Sequence, residues 1–324
     1  MDSNIKGMVF DIKRFSMHDG PGIRSTLFTK GCPLRCPWCQ NPEGLEKRLR
    51  LWYFENKCIR CESCVKSCPN GAITVNDNAE GPFILIDHAK CNNISDMNTR
   101  DTFVGDSLQC EVCVKGCPSK ALTFDGRIMT VSQVVEALMK DKEFYDTSDG
   151  GVTISGGEPL MQHEFNYEVL RTLKEKGIHT TIETSLYADN EIIEKFIDVV
   201  DLFITDIKIF DEETHQKTIG VSNKLIKGNF EFLAKKGVKL LVRIPLIPGY
   251  TVENDNLANI AEYVKSVRED ICIELINYNP LPVGKYRIMN KEYEFNKDIQ
   301  PFSDKQMNEF RKIISDKGIK VIKE

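Results

Sequence analysis

Six apolar, β-rich runs separated by helical patterns predict an α/β chain folded as a partial parallel (β/α)6 barrel, short of the closed eight-stranded form. The runs lie at 25–29, 152–155, 179–184, 202–208, 240–247 and 271–278. A cysteine-dense stretch separates the first run from the second and predicts a small inserted domain. We assign 1–50 and 127–324 to the barrel and 51–126 to the insertion.

The helices between these strands carry their own signals. Thr130 and Gln133 match a capping box just before the apolar positions Val134, Val135, Leu138 and Met139. Phe165, Val169 and Leu173 recur every four residues on one helical face, and Gly177 supplies a natural stop. Further helices are expected at 189–200, 224–236, 254–268 and 303–317. With 324 residues, 41% of them apolar, the chain can bury a full core. Its net charge is −5 and no Lys/Arg run exceeds two residues, which argues against a nucleic-acid partner. The N-terminal MDSNIKGMVFDIKRF lacks the apolar stretch of a secretory signal, and no apolar run is long enough to span a bilayer. The expectation is a cytoplasmic protein with no membrane contact.

Eleven of the twelve cysteines fall between 32 and 117 at CxxC-like spacings, a metal-binding pattern rather than a disulfide framework. Cys32, Cys36 and Cys39 place three thiolates within eight residues, with no fourth Cys or His at matching distance. A structural zinc site closes its shell with four ligands. Three on a short loop suit instead a [4Fe–4S] cluster that keeps one iron open. Cys58, Cys61, Cys64 and Cys68, then Pro69, form the C-x2-C-x2-C-x3-C-P run of bacterial ferredoxins. Cys91, Cys110, Cys113, Cys117 and Pro118 form a second version, and residues 64–74 repeat as 113–123. In two-cluster ferredoxins the last cysteine of each run ligates the other cluster. That rule groups Cys58, Cys61, Cys64 and Cys117 apart from Cys91, Cys110, Cys113 and Cys68, giving three [4Fe–4S] clusters in all. Eighteen residues separate Cys91 from Cys110 where two are usual. A polar loop of that length costs little closure entropy; the alternative is a missing third cluster, or one with a non-cysteine ligand. Cys272 reads as a small core residue.

In parallel barrels, chemistry collects at the C-terminal ends of the strands. The run at 152–155 is followed by Gly156, Gly157, Glu158 and Pro159. Two glycines let the backbone approach a ligand closely, and Glu158 offers a carboxylate to an ammonium group. By itself the same tetrapeptide reads as a turn. Glu183 and Thr184 end the next run, and Asp206 and Lys208 the one after. Arg243 lies inside an apolar strand, where an unpaired charge is costly. Singly, each could be an ordinary ion pair of the barrel mouth; together they mark a site.

Residues 15–24, Phe-Ser-Met-His-Asp-Gly-Pro-Gly-Ile-Arg, lead into Lys30-Gly31-Cys32, and Asn41-Pro42-Glu43 follows the three cysteines. With the cysteine loop and Ser155-Gly156-Gly157-Glu158-Pro159, this chain resembles the glycyl radical enzyme activating enzymes of the radical S-adenosylmethionine superfamily. Its insertion is similar to that of the longer members, which serve dehydratases, decarboxylases and lyases. The resemblance implies a radical SAM-type partial barrel with an inserted ferredoxin-like α+β domain. It implies that S-adenosylmethionine binds the open iron at Cys32, Cys36 and Cys39, beside Trp38. One electron would cleave it to methionine and a 5′-deoxyadenosyl radical, which takes hydrogen from a backbone glycine of a larger enzyme.

Individual roles follow from the same resemblance. Gly156, Gly157 and Glu158 would meet the methionyl amine and Arg243 the methionyl carboxylate. Glu183, Thr184, Asp206 and Lys208 would serve ribose, cosubstrate or a monovalent cation. Asp19 and Lys208 are the expected catalytic positions, Asp19 near the incoming glycine. Asn279 stands where the family often carries a His beside the adenine. The expected partners are the C-terminal glycine loop of a large glycyl radical enzyme and a ferredoxin or flavodoxin donor, acting on a monomer. Two other readings compete. A peptide- or small-molecule-modifying relative would usually carry its extra cysteines after the barrel. A plain electron carrier would leave the open cysteine loop and the Gly-Gly-Glu-Pro turn without purpose.

Overall fold

The computed structural model describes residues 5–78, 81–91, 110–253, 255–289, 291, 293, 295 and 299–322. The long spacer expected at 92–109 lies outside the described residues. Thirteen strands occur among the described residues: β1 (Lys6–Ser16), β2 (Arg24–Thr29), β3 (Leu51–Tyr53), β4 (Ile73–Val75), β5 (Ile84–Ile86), β6 (Leu122–Phe124), β7 (Arg127–Thr130), β8 (Gly151–Gly156), β9 (His179–Thr184), β10 (Leu202–Asp206), β11 (Leu240–Leu246), β12 (Cys272–Asn277) and β13 (Val321–Ile322). Nine of them form one sheet in the order β13-β12-β11-β10-β9-β8-β2-β1-β7.

From β2 to β13 every neighbour is parallel. The six expected runs are β2 and β8 to β12, and they form the parallel core of the sheet. Three flanking strands are additional. β1 runs antiparallel between β2 and β7. Its Met8-Val9-Phe10 run is apolar throughout, and a register shift between Val9 and Asp11 breaks the alternation, so Val9 and Ile12 both pack on the main core. β7 and β13, at four and two residues, are too short to show a pattern.

The helices are α1 (Ser63–Ser67), α2 (Val112–Lys115), α3 (Val131–Met139), α4 (Lys142–Ser148), α5 (His163–Glu175), α6 (Asn190–Phe196), α7 (Glu212–Ile219), α8 (Lys224–Lys235), α9 (Asn256–Val267), α10 (Val283–Ile288) and α11 (Asp304–Asp316). The capping box forms as the sequence implies. Thr130 Oγ1 accepts from the Gln133 amide at 3.2 Å, and Gln133 Oε1 accepts from the Thr130 amide at 2.9 Å. Phe165, Val169 and Leu173 of α5 are buried, and the helix ends before Gly177 at φ +75°.

Alternation along the strands divides the sheet into two faces. Val152, Ile154, Ile182, Phe203, Val242, Ile244 and Ile273 pack into the main apolar core with the helices. The opposite positions carry Thr153, Ser155, Thr181, Glu183, Asp206, Arg243 and Glu274. That polar face is curled inward. Arg243 of β11 donates to the His18 carbonyl just past β1, although β2 and β11 would lie ~19 Å apart in a flat sheet at the usual strand spacing.

The remaining four strands form two small sheets outside the nine-stranded one. β3 pairs with β6 and β4 with β5. Leu51, Ile73, Ile84, Cys113 and Leu122 form a buried apolar cluster, with Cys64, Cys68, Cys91 and Cys117 packed around it.

Candidate active site at the barrel mouth

The Gly-Gly-Glu-Pro turn closes the end of β8 against two other segments. Gly156 sits at φ +119°, a left-handed conformation that favours glycine. A Cβ on Gly157 would lie 2.4 Å from the carbonyl oxygens of both Gly31 and Gly44. The Gly157 amide donates to Thr29 at 2.9 Å, and the Glu158 amide to Gly31 at 2.7 Å. The two glycines therefore permit close approach to the chain's own backbone: the end of β2 and the turn after the cysteine loop.

Glu158 is 1% exposed. Its carboxylate accepts from the Leu160 amide (3.1 Å), Thr184 Oγ1 (2.6 Å), the Ser185 amide (2.8 Å) and Ser185 Oγ (2.5 Å). Burial pushes its pKa up against the Ser185 and Thr184 hydrogen bonds. Those four donors use all four lone-pair positions of a carboxylate. A fifth donor must displace one of them; the two hydroxyl oxygens also accept from the Leu186 amide (2.9 Å) and the Tyr187 amide (3.4 Å).

Arg243 sits at the centre of the polar face. Its Nε donates to Glu274 at 2.6 Å and its Nη1 to Glu183 at 2.7 Å, while Ser155 Oγ donates to Glu183 at 2.6 Å. Burial works against the guanidinium charge, but Glu183 and Glu274 together hold its pKa above the usual range. Glu274 is absent from the sequence-derived set. It lies between Ile273 and Leu275, the same charge-in-an-apolar-strand signal that marks Arg243. Lys208 reaches Asp206 at 2.6 Å. Burial opposes its charge too, yet the Asp206 carboxylate raises its pKa above the usual range and holds it protonated.

The three-cysteine loop lies over the C-terminal end of β2. The Cys39 amide donates to Cys36 O at 3.1 Å, the Arg35 amide to Ile219 O at 2.8 Å, and Tyr286 Oη to Cys39 O at 3.3 Å. Trp38 is buried against Tyr250, ring centres 5.0 Å apart. Burial pushes all three thiols up, Cys39 to about 12. Thiols so placed become ligands when a cationic metal centre takes over the proton's role. Asp19 is half-buried. Its carboxylate accepts from Thr26 Oγ1 and its carbonyl from Thr153 Oγ1, each at 2.6 Å. Asn279 is exposed. Its side chain accepts from the Leu281 amide at 3.0 Å, and its carbonyl from Gln40 Nε2 at 3.0 Å.

In the insertion, Cys58, Cys61, Cys64 and Cys117 line one small cavity, and Cys68, Cys91, Cys110 and Cys113 line another. The last cysteine of each run sits with the other run. The sequence repeat also has a geometric counterpart: Cys68 Sγ accepts from the Ala72 amide and Cys117 Sγ from the Ala121 amide, each at 3.2 Å. Among the described residues no three Cys, His, Asp or Glu side chains converge on a single metal ion. Four cysteines around each cavity suit a four-iron cluster, in which each thiolate binds its own iron.

A partial parallel barrel with a cysteine loop at its mouth defines a radical S-adenosylmethionine protein. The Radical SAM superfamily model matches residues 109–261, and the 4Fe-4S binding domain model matches 51–74. The chain is 37% identical to the choline trimethylamine-lyase activating enzyme of Oleidesulfovibrio alaskensis, covering 89% of this chain and 88% of that one. It is 34% identical to the indoleacetate decarboxylase activating enzyme of Tractidigestivibacter scatoligenes, covering 99% and 98%. With the isethionate sulfite-lyase activating enzyme of Nitratidesulfovibrio vulgaris it shares 38% identity, covering 90% of each. The chain belongs to the glycyl radical enzyme activating enzymes.

Proposed function

We propose that the inserted domain relays electrons to the barrel, where the reaction of the family takes place. S-adenosylmethionine, reduced by one electron at the [4Fe–4S] cluster, supplies the 5′-deoxyadenosyl radical that abstracts hydrogen from a backbone glycine of a partner glycyl radical enzyme. Cys32, Cys36 and Cys39 would hold that cluster, three thiolates to four irons leaving one iron for the methionyl group. Three clusters in total, two of them in a domain spanning 51–126, complete the reading. The observation that carries it is the four-and-four grouping of cysteines in the insertion. Fully ligated clusters have no open iron for substrate and so suit electron transfer.

The chain's own residues orient the reactants. The Gly156–Gly157 turn, braced by Glu158, would take the methionyl amine, and Glu158 would accept from it in place of the Thr184 or Ser185 hydroxyl. Arg243 would take the methionyl carboxylate in exchange for Glu183. Glu183, Thr184 and Asp206 then serve the ribose or a monovalent cation, and Lys208 remains charged beside the cysteine loop. Trp38 and the backbone around Asn279 would flank the adenine, and Asp19 would stand near the incoming glycine. The curled polar face keeps water and competing hydrogen donors away from the radical.

The partner is a large glycyl radical enzyme presenting its glycine loop. Relatives named for lyase, decarboxylase and synthase partners match at 34–38% identity. What they share with this chain is therefore the machinery of glycine activation, common to partners with different substrates. A ferredoxin or flavodoxin donor, a monomeric state and a cytoplasmic setting complete the proposal.

Cys64→Ala and Cys113→Ala test the relay. Each should slow glycyl radical formation with a protein donor, yet spare it when an artificial reductant feeds the barrel cluster directly. Equal loss with both reductants, in variants that keep the barrel cluster, would assign the insertion to partner docking instead.

A further inference from the structure

Lys30 lies two residues before Cys32 and is wholly buried, at 0% exposure. Its Nζ donates to Asp125 Oδ2 at 2.8 Å and also to the Glu43 carbonyl. Asp125 is itself 4% exposed. Its Oδ1 accepts from the Arg50 amide at 2.8 Å, and its own amide donates to Arg50 O at 2.9 Å. Residues 50 and 125 are where the chain leaves the barrel and returns to it. One carboxylate thus closes the neck of the insertion, and one ammonium holds that neck to the barrel.

The same ammonium grips the turn on the far side of the cysteine loop, at Glu43. The Glu43 carboxylate accepts from Lys285 Nζ at 2.6 Å, and that amine also donates to Gln40 O at 3.2 Å and Asn41 Oδ1 at 3.1 Å. Lys30 before the cysteines and Glu43 after them are therefore bound to each other and to the neck. An apolar pair would fill this space without desolvating two charges. What the ion pair adds is direction: a fixed bond angle between the two domains.

We propose that Lys30, paired with Asp125, is a positioning latch that fixes the insertion behind the three-cysteine loop and sets the distance across which electrons reach it. The latch rests on the relay reading above and names the residues that make it work.

The test uses the cluster-loaded full chain under anaerobic conditions. Lys30→Met alone strands a buried carboxylate and risks misfolding. The double variant Lys30→Met/Asp125→Asn removes both charges, preserves volume and keeps an oxygen for the Arg50 amide. Hydrogen exchange reads the neck, and freeze-quench electron paramagnetic resonance reads reduction of the barrel cluster. The double variant should keep its iron and exchange the Arg50 and Asp125 amides about tenfold faster or more. It should also slow reduction by a protein donor by about tenfold or more, within the roughly hundredfold that a 1 Å misplacement can cost, while a small artificial reductant works at the parental rate.

Unchanged neck exchange, or a loosened neck with undiminished delivery from the protein donor, overturns the proposal. Loss of iron from the double variant assigns the pair to folding and overturns it as well. Failure of the relay itself appears separately, in Cys113→Ala. If that variant accepts electrons from the protein donor as fast as the parent, the relay falls and the latch's electronic role falls with it.

Discussion

The barrel and its insertion solve the same folding problem by different means. Forty buried apolar side chains among the described residues form the barrel core. The insertion's cluster holds five, one of them Cys113. Burial alone can stabilise the first. A unit as small as the second usually needs covalent or metal staples. On the proposed reading its cysteines are therefore structural as well as redox groups, whereas Cys32, Cys36 and Cys39 sit on a loop braced by Glu158, Gly44 and Tyr286. Metal loss should threaten one region and leave the other standing.

The largest expected effect tests that contrast directly. Removing iron with a chelator should strip hydrogen-exchange protection from β3 to β6, because metal binding there is part of the folding free energy. Protection in β8 to β12 should persist. Parallel loss in both regions would show that the barrel also depends on its cluster.

A smaller effect should follow Glu158→Ala. The substitution leaves the Leu160 and Ser185 amides and two hydroxyls without their shared acceptor. Hydrogen bonds to a charged group contribute about 1.5–3 kcal/mol each; the neighbouring hydroxyls can recover part, so a net loss of about 3 kcal/mol is expected by denaturant titration. Affinity for S-adenosylmethionine should fall about tenfold or more, the equivalent of one such bond, while iron content stays unchanged. Unaltered affinity in a spectroscopic titration would reduce Glu158 to a purely internal brace.

How far the sequence reveals these roles depends on the range of each interaction. The six parallel strands and the cysteine groups are legible because apolar β-rich runs and CxxC spacings are local patterns. Arg243 is legible as a charge in an apolar strand. Glu274 carries the same mark, and its significance emerges only once β11 and β12 pair. Lys30 and Asp125 leave no local trace, because their bond spans ninety-five positions. The two glycines at 156 and 157 are legible as a tight approach, but the approaching group is the chain's own backbone, which no local pattern identifies. β7 and β13 are held by register with long neighbours rather than by any pattern of their own.

The smallest effect concerns acid. Burial, then Arg50, pushes half-buried His88 of the insertion down to about 4 from its ordinary 6.5. The folded insertion keeps it neutral while the unfolded chain takes up a proton near pH 6.5. Its contribution is therefore complete above pH 6.5 and is lost as pH falls toward 4. Thermal melts of the insertion's signals should show a modest decline over that window, and His88→Gln should flatten it. An equal decline in His88→Gln would assign the acid sensitivity to another group.

The central claim is that radical chemistry belongs to the barrel's three-cysteine loop and the insertion only supplies electrons. Its most direct test is 5′-deoxyadenosine formation from S-adenosylmethionine, under anaerobic conditions with an artificial reductant. The parent and Cys113→Ala should both form the nucleoside, and Cys39→Ala should form none. Product from Cys39→Ala, or its absence from a folded Cys113→Ala that retains the barrel cluster, would contradict the account.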